Sequence, residues 1–251
     1  MEDNNLDFQK ILCCIPARYQ SSRLPGKPLL KINGKTIINL VYDRVKESIV
    51  KNIVVLTDDQ RIYDEVINFG GKCCMVDEEC LNGTERIVNY LNKIDHNCFN
   101  KILNVQGDEP FIDSNVINRL ITENSKNTNE CSTVCYCTRE ENEILSKSKG
   151  KVILDNNNNI LYCSRNVIPS CKNSNIVRDI DYYIHVGIFL FDKKYLLNNF
   201  LKGNTRHQLI EDIEWLKIIE DGGKINTIIS EKMETGVDTI EDYEYLKKKY
   251  N

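Results

Sequence analysis

The chain has 251 residues, 33 basic and 37 acidic side chains, and a net charge of -4. This length suffices for one large α/β domain or two small ones with a buried core. The acidic balance argues against a nucleic-acid partner, which would require a basic patch for phosphates, and no apolar run approaches the length of a membrane span.

The eleven cysteines predict buried, reduced thiols rather than disulfides or a zinc site. Their number is odd, and most lie in apolar runs, as Cys13 and Cys14 do. Cys131, Cys135 and Cys137 lack a second cysteine pair or a histidine pair at zinc-ligand spacing. Reduced thiols and the lack of a charged-then-apolar leader favour a cytoplasmic enzyme that does not associate with a membrane.

The first half of the chain alternates between short apolar runs and segments with helical periodicity. The run ILCCI at 11–15 ends at Pro16 and predicts a buried strand, and Thr36–Ser48 predicts a helix with Thr36 as its N-cap. Further strands are predicted at 53–56, 72–76 and 102–105, with helices near 59–69 and 84–94. This alternation is typical of a mostly parallel, Rossmann-like α/β sheet flanked by helices, whose ligands bind beyond the carboxyl ends of the strands.

From about residue 131 the pattern changes to short strands of the kind found in antiparallel sheets. Strands are predicted at 132–137, 151–154, 160–164, 183–191 and 225–229, and helices at 206–221 and 239–249. We therefore expect a single domain spanning 1–251. Its main sheet would comprise about 10–130 and 222–251, and about 131–221 would form an inserted, smaller antiparallel lobe.

The loop after the first strand, Ile15–Leu29, is the most informative segment. Its sequence, IPARYQSSRLPGKPL, combines the cations Arg18, Arg23 and Lys27 with small hydroxyl side chains and with prolines and a glycine that restrict its shape. Such a loop can present backbone N–H groups and fixed cations to a triphosphate. A solvated basic turn is the alternative, which the placement of proline and glycine disfavours. No Walker A loop or GxGxxG motif is present.

Two acidic turns supply candidate metal ligands. Asp108 and Glu109 follow the fourth predicted strand in VQGDEP, and Asp238 follows the last strand. Mg²⁺ prefers oxygen ligands and is usually held by one or two carboxylates together with substrate phosphates. Each aspartate could instead cap a helix, Asp108 the one that begins near Asp113 and Asp238 the one that begins near Thr239.

These segments resemble the CMP-KDO synthetases (3-deoxy-manno-octulosonate cytidylyltransferases) over about residues 10–249. The family motif IPAR-x-x-S-x-RLPGKPL stands almost letter for letter at 15–29, whereas the related sialic-acid activating enzymes carry an IPARGGSK-type loop. The further matches are TDD at 57–59, NGTER at 82–86, VQGDEP at 105–110, YCSR at 162–165, IP at 168–169, HVGI at 185–188 and GVD at 236–238. The resemblance implies a nucleotidyltransferase fold and Mg²⁺-assisted, CTP-dependent activation of a sugar acid with release of pyrophosphate.

The resemblance also implies roles for individual residues. The nucleotide would meet Ala17, Arg18, Ser22, Lys27, Asn82, Gly83, Thr84 and Arg86. The sugar acid would meet Gln106, Arg165, His185, Glu214 and Trp215. Asp108 and Asp238 would hold Mg²⁺, and Lys27, Arg18 and Asp108 would act in catalysis. Members of the family commonly form dimers, so a homodimer is expected.

Two positions depart from the family pattern at the sugar end. The family has a tyrosine shortly after the histidine and a Glu-Gln pair on the next helix, where this chain has Phe189 and Glu214-Trp215. Losing two polar groups predicts an altered sugar preference, so a modified KDO or another nonulosonic-type acid is the alternative substrate. Trp215 could instead be a buried aromatic on an apolar helix face, Arg165 a surface residue and His185 a satisfied core histidine.

Two functions of other classes are also compatible with an α/β sheet. A metal-dependent glycosyltransferase usually has a DxD triplet, and the nearest candidate is Asp179-Ile180-Asp181 in the predicted lobe. A non-catalytic sugar-nucleotide binding protein would be expected to lose Lys27 or one of the metal carboxylates, and all three are present.

Overall fold

The structure is a computed structural model that describes residues 8–21, 23–124, 129–172, 176–231, 233–234 and 236–251. Ser22, predicted to bind the nucleotide, lies outside the described residues. Within these ranges, no helix is both long and apolar enough to cross a membrane.

The elements of the described chain are as follows. The strands are β1 (Ile11–Pro16), β2 (Lys31–Ile32), β3 (Lys35–Thr36), β4 (Asn52–Thr57), β5 (Cys73–Met75), β6 (Lys101–Val105), β7 (Cys131–Thr138), β8 (Lys151–Leu154), β9 (Ile160–Ser164), β10 (Tyr182–Asp192) and β11 (Ile225–Ser230). The helices are α1 (Ile37–Lys46), α2 (Gln60–Asn68), α3 (Gly83–Leu91), α4 (Ser114–Asn124), α5 (Glu141–Leu145), α6 (Lys193–Asn199), α7 (Arg206–Glu211), α8 (Leu216–Glu220) and α9 (Ile240–Tyr250).

In the described part of the chain, nine strands form one mixed sheet, whose main path runs β11-β7-β10-β6-β1-β4-β5. β1 pairs in parallel with β4 and β6, β4 with β5, and β11 with β7. β10 runs antiparallel to β6 and β7. Helices flank the sheet, which confirms the predicted α/β nucleotidyltransferase class.

The antiparallel strands after residue 131 share this sheet, whereas β2 and β3 form a separate two-stranded antiparallel sheet. β7 and β10 lie between β11 and β6, while β8 pairs with β10 and carries β9 beside it. The predicted antiparallel pairing after residue 131 is therefore present, but it continues the main sheet. The division into a main sheet and a lobe at 131–221 stays a prediction.

Both faces of strand β1 are buried, which explains why apolar and polar residues do not alternate along its sequence. Ile11, Cys13 and Ile15 pack into an apolar core that includes α1, α2 and α4, whereas Leu12 and Cys14 pack into a second core with α3, α6 and α8. A strand covered on both faces requires apolar residues at every position.

No disulfide joins the eleven cysteines, all of which lie in the described chain. Cys13, Cys14, Cys131, Cys135 and Cys163 are buried, and burial raises their thiol pKa values. Three others, at 98, 137 and 171, are exposed. The predicted burial therefore holds for only part of the set.

The predicted continuous helix at 206–221 was wrong. Asp212 adopts the left-handed conformation, with φ at 52°, and ends α7, so α8 begins only at Leu216. Aspartate tolerates this conformation better than most residues, and apolar periodicity alone does not reveal it. The break places Glu214 and Trp215 in a turn that lines the cavity described below.

Candidate active site

A cavity of about 620 Å³ opens beyond the carboxyl ends of β1 and β6. Its lining includes most of the predicted site residues: Ala17, Arg18, Lys27, Asn82, Gly83, Arg86, Gln106, Asp108, Arg165, His185, Glu214, Trp215 and Asp238. Of the predicted residues within the described ranges, Thr84 alone is absent from the lining. The structure therefore brings together segments that lie far apart in the sequence.

Lys27 lies between two carboxylates at one end of the cavity. Its Nζ is 2.6 Å from Asp108 Oδ2 and 3.7 Å from Asp238 Oδ1, and its side chain is only 12% exposed. Burial alone lowers the pKa of Lys27, but the two carboxylates outweigh burial and the net pKa shift is upward. The side chain is therefore a fixed cation at neutral pH.

Asp108 and Asp238 are not used as helix caps. Asp113 Oδ1 accepts from the backbone N–H of Asn115 at the start of α4, and Thr239 caps α9. Both aspartates instead converge on Lys27 from separate segments. Burial, followed by the Asp108 charge, raises the pKa of Asp238.

The donor chemistry of this pair fits a hard divalent cation. Two carboxylates on one cavity wall offer oxygen ligands, and in the described chain no group of three or more His, Cys, Asp or Glu forms a self-sufficient metal site. Substrate phosphates and water would supply the remaining ligands, as is usual for Mg²⁺. Arg23 also contacts this pair of carboxylates, since its Nη2 lies 3.3 Å from Asp238 Oδ1. No individual role was predicted for Arg23 from the sequence.

The phosphate loop, residues 15–29, is shaped by a tyrosine and an arginine. Gly26 has a positive φ of 71°, and a Cβ there would lie 3.1 Å from the Tyr19 ring. The Arg61 guanidinium lies 3.3 Å from the centroid of that ring. The turn before Lys27 therefore requires glycine and is held against α2.

If this loop binds the triphosphate of CTP as the resemblance implies, Gly26→Ala should raise the KM for CTP about tenfold, since backbone strain and the contact with Tyr19 would displace Lys27. Gly34→Ala is the matched control, because Gly34 has a similar φ of 77° but no atom within 4 Å of the position that a Cβ would occupy. Steady-state kinetics on both variants provide the measurement. A KM for CTP that is the same in Gly26→Ala as in Gly34→Ala would contradict the predicted role of the loop in binding the triphosphate.

The NGTER segment packs tightly against the end of β1. Asn82 Oδ1 accepts from the backbone N–H of Glu85 and caps α3. A Cβ at Gly83 would lie 2.8 Å from the Pro16 ring, so this approach requires glycine. Arg86 is buried and donates to Asp58 Oδ2 at 2.7 Å, which joins this segment to the TDD motif.

Thr84 links the segment at 82–86 to the turn between α7 and α8. It is fully buried, and its Oγ1 donates to Glu214 Oε1 at 2.8 Å. Gln106 Nε2 approaches the same oxygen at 3.4 Å. Burial raises the pKa of Glu214. Thr84, which does not line the cavity itself, therefore positions Glu214 in the cavity wall through a contact between residues 130 positions apart in the sequence.

His185 presents a neutral ring at the other end of the cavity. Thr133 Oγ1 donates to the Ile188 carbonyl oxygen at 2.6 Å, so its oxygen accepts from His185 Nε2 at 2.9 Å. Nε2 therefore carries the proton, and Nδ1 keeps its lone pair. Burial lowers the pKa of His185 to about 3. The ring is a hydrogen-bonding group rather than a cation.

Phe189 and Trp215 flank this histidine. Both ring centroids lie 4.9 Å from that of His185, and both residues line the cavity. Their exposed fractions are only 2% and 3%, so most of each ring packs in the apolar core. Trp215 is therefore both a cavity-lining residue and a buried aromatic: part of its ring faces the cavity, and the rest packs in the core.

Arg165 lines the cavity while its guanidinium donates to four backbone carbonyl oxygens, those of Lys147, Ser148, Glu211 and Asp212. It is therefore a half-buried connector and not a surface strand residue. The wall it supports includes Lys147, Ser148 and Lys149, which the motif comparison missed. The closely spaced lysines of this segment are the sequence feature that could have indicated its place in the cavity wall.

The Asp179-Ile180-Asp181 triplet lies away from the cavity lining. Asp181 pairs with exposed Arg139 at 2.7 Å, and Asp179 has a positive φ of 66°. The triplet therefore forms part of a surface turn, and it offers no metal site for a glycosyltransferase.

Comparisons with known proteins agree with this geometry. The family model described as cytidylyltransferase matches residues 12–232. The 3-deoxy-manno-octulosonate cytidylyltransferase of Fusobacterium nucleatum is 39% identical over 94% of this chain and 95% of its own length. That of Protochlamydia amoebophila is 35% identical over 93% and 91%. A solved structure of CMP:2-keto-3-deoxy-manno-octonic acid synthetase complexed with CTP has a TM-score of 0.86 at 33% identity, covering 95% of this chain and 97% of that one.

Proposed function

We infer that this chain, which belongs to the cytidylyltransferase family, transfers CMP from CTP to 3-deoxy-manno-octulosonate (KDO) and releases pyrophosphate. The observation that carries the proposal is the convergence of Lys27, Asp108 and Asp238 on the wall of a cavity that His185 also lines. The predicted resemblance to the CMP-KDO synthetases is confirmed by the relatives and by the fold.

The reaction is an in-line attack by the anomeric hydroxyl of the sugar on the α-phosphorus of CTP. Lys27 and Arg18 hold the triphosphate, and Lys27 stabilises the negative charge that develops on the departing pyrophosphate. A divalent cation, which we propose is Mg²⁺ held by Asp108 and Asp238, would neutralise phosphate charge and lower the pKa of the attacking hydroxyl. Most of the rate enhancement then comes from positioning and from fixed charges.

We assign the two substrates to the two ends of the cavity. Asn82, Gly83 and Arg86 border the cytosine and ribose, beside the phosphate loop. Gln106 and His185 offer hydrogen bonds to the sugar hydroxyls, and Arg165 brings positive charge toward the sugar carboxylate. The proposal also includes a cytoplasmic location and a homodimer, as in the family.

Omission experiments test the function. Pyrophosphate release is measured with CTP, Mg²⁺ and KDO together and with each component left out in turn. The proposal predicts release only in the complete mixture. Binding of CTP without release would instead indicate a non-catalytic sugar-nucleotide binding protein, and transfer of sugar from a nucleotide sugar would indicate a glycosyltransferase.

The apolar wall at Phe189 and Trp215 predicts the sugar preference. An apolar surface cannot satisfy a buried hydroxyl, and each unpaired group costs about 1 to 3 kcal/mol. Less hydroxylated, amino- or acyl-modified acids should therefore be accepted at least as well as KDO. The double variant Phe189→Tyr with Trp215→Gln should raise kcat/KM for KDO relative to these analogues by about tenfold.

The measurement is a competition between KDO and analogues at saturating CTP. Phe191→Tyr is the matched control, because Phe191 is buried beside Phe189 but does not line the cavity. If wild type strongly prefers KDO and the double variant leaves the ratio unchanged, both aromatic side chains serve only the core.

A further inference from the structure

Residues 146–150, here called the rim segment, are held by two cations that bind their backbone, and 147–150 line the cavity. The carbonyl oxygens of the four consecutive residues 146 to 149 each accept a hydrogen bond from one of two side chains, Lys151 or Arg165. The distances are 2.6 Å from Lys151 Nζ to the Ser146 oxygen, 2.7 Å to that of Lys149, 3.2 Å from Arg165 Nη1 to that of Lys147 and 3.1 Å to that of Ser148.

The same two side chains also bind backbone carbonyl oxygens outside the rim segment. Lys151 Nζ also donates to the carbonyl oxygen of Arg165 at 2.6 Å. Arg165 Nε donates to the Glu211 oxygen at 2.8 Å, and its Nη2 to the Asp212 oxygen at 2.7 Å. The rim segment and the break between α7 and α8 are therefore fixed to one another through adjacent cations on β8 and at the end of β9.

Packing alone does not account for a lysine at position 151. Its side chain is fully buried, and among the described residues no carboxylate lies within ion-pair distance of its Nζ. Burial lowers its pKa to about 8. An apolar side chain of similar shape would avoid the cost of burying a charge. The Lys151 ammonium instead donates three directional, charge-assisted hydrogen bonds, which fix the positions of three carbonyl oxygens.

The rim segment brings positive charge to the cavity. Lys149 is already engaged by Glu143 Oε1 at 2.8 Å and by the Tyr136 hydroxyl at 3.0 Å. Lys147 donates to the amide oxygen of Asn166 and pairs with no carboxylate within the described ranges. Lys147 is thus the rim cation that can meet an acidic group of a substrate.

We propose that Lys151 is a positioning residue for the sugar acid, which acts by holding the rim segment and thereby Lys147 at the sugar end of the cavity. This inference rests on the proposed function. Lys151 does not touch the substrate, and the nucleotide end of the cavity does not depend on it. Its loss should therefore weaken recognition of the sugar acid selectively.

The test compares two buried lysines that both bind backbone carbonyl oxygens. Lys217, 2% exposed, donates to the oxygens of Phe200 and Gly203, neither of which lines the cavity. Lys151→Met and Lys217→Met remove the same charge and donors at the two sites. Steady-state constants are measured separately for KDO and CTP, and amide hydrogen exchange is followed at 146–150 and at 82–86.

We expect Lys151→Met to raise the KM for KDO at least about tenfold while the KM for CTP stays within about twofold. Amide exchange should accelerate at 146–150 and stay unchanged at 82–86. Lys217→Met should keep the wild-type KM for KDO. If Lys151→Met does not fold, Lys151→Gln, which keeps two N–H donors, is assayed in its place with the same expectations.

An unchanged KM for KDO, or equal rises for both substrates, would overturn the inference while leaving the cytidylyltransferase function intact. Equal losses in the Lys217 variant would do the same. Absence of pyrophosphate release in wild type would instead overturn the proposed function. Hydrogen exchange at the rim segment reports on the backbone contacts of Lys151 independently of turnover, so the two failures are distinguishable.

Discussion

Asp108→Asn is expected to lower kcat by about a hundredfold or more, because it removes one of the two carboxylates proposed to hold a divalent cation, which would neutralise charge on the α-phosphate. Asp238→Asn should have the same effect, since both carboxylates converge on Lys27. Pyrophosphate release is measured at saturating CTP and KDO across a Mg²⁺ titration. The loss should be partly relieved at high Mg²⁺ if the amide weakens cation binding.

Asp242→Asn serves as the control for this pair. Asp242 belongs to the capping box of α9, four positions from Asp238, and accepts from its backbone N–H. Its replacement should cost about 1 kcal/mol of folding stability and leave kcat unchanged. Full activity in Asp238→Asn would show that Asp238 holds no catalytic cation.

Lys27→Met is expected to lower kcat by about a hundredfold to a thousandfold, a loss comparable to removing one preorganised charge contact from a transition state. The fold should persist, because Lys27 lies in a loop at the cavity and not in either apolar core. Without the ammonium, Asp108 and Asp238 repel one another, so Mg²⁺ should raise the melting temperature of the variant more than that of wild type.

Kinetics and thermal unfolding, each with and without Mg²⁺, measure both effects. Lys35→Met is the matched control, since Lys35 forms an exposed ion pair with Asp43 at 2.7 Å and should contribute little to stability or turnover. Normal turnover in Lys27→Met, or failure to fold even with Mg²⁺, would remove the reason for placing the triphosphate at this loop.

The sequence predicts features that depend on local chemistry. The run ILCCI is apolar at every position because β1 is covered on both faces. The phosphate loop is recognisable because its shape depends on Gly26, whose positive φ few other residues adopt without strain. Asp113 lies closer in sequence to the start of α4 than Asp108 does, and it accepts the N-terminal hydrogen bond there. Asp108 instead accepts a hydrogen bond from Lys27.

Features that depend on contacts between distant segments could not be predicted. The hydrogen bond between Thr84 and Glu214 joins the nucleotide and sugar ends of the cavity, and no local pattern encodes it. The break at Asp212 depends on one backbone conformation that apolar periodicity does not detect. Lys151 begins the predicted strand at 151–154, and nothing in the sequence of that strand indicates that the folded chain buries the lysine side chain completely.

Transfer of CMP to a sugar acid is tested most directly by identifying the product. Wild-type protein is incubated with CTP, Mg²⁺ and KDO, and the phosphorus species are followed by ³¹P NMR. We expect the α-phosphorus of CTP to appear in a CMP–sugar phosphodiester in equal amount with pyrophosphate, and Lys27→Met to form neither at a comparable rate. Accumulation of free CMP that does not require KDO, or CTP that remains intact in the complete mixture, would contradict the proposed transfer.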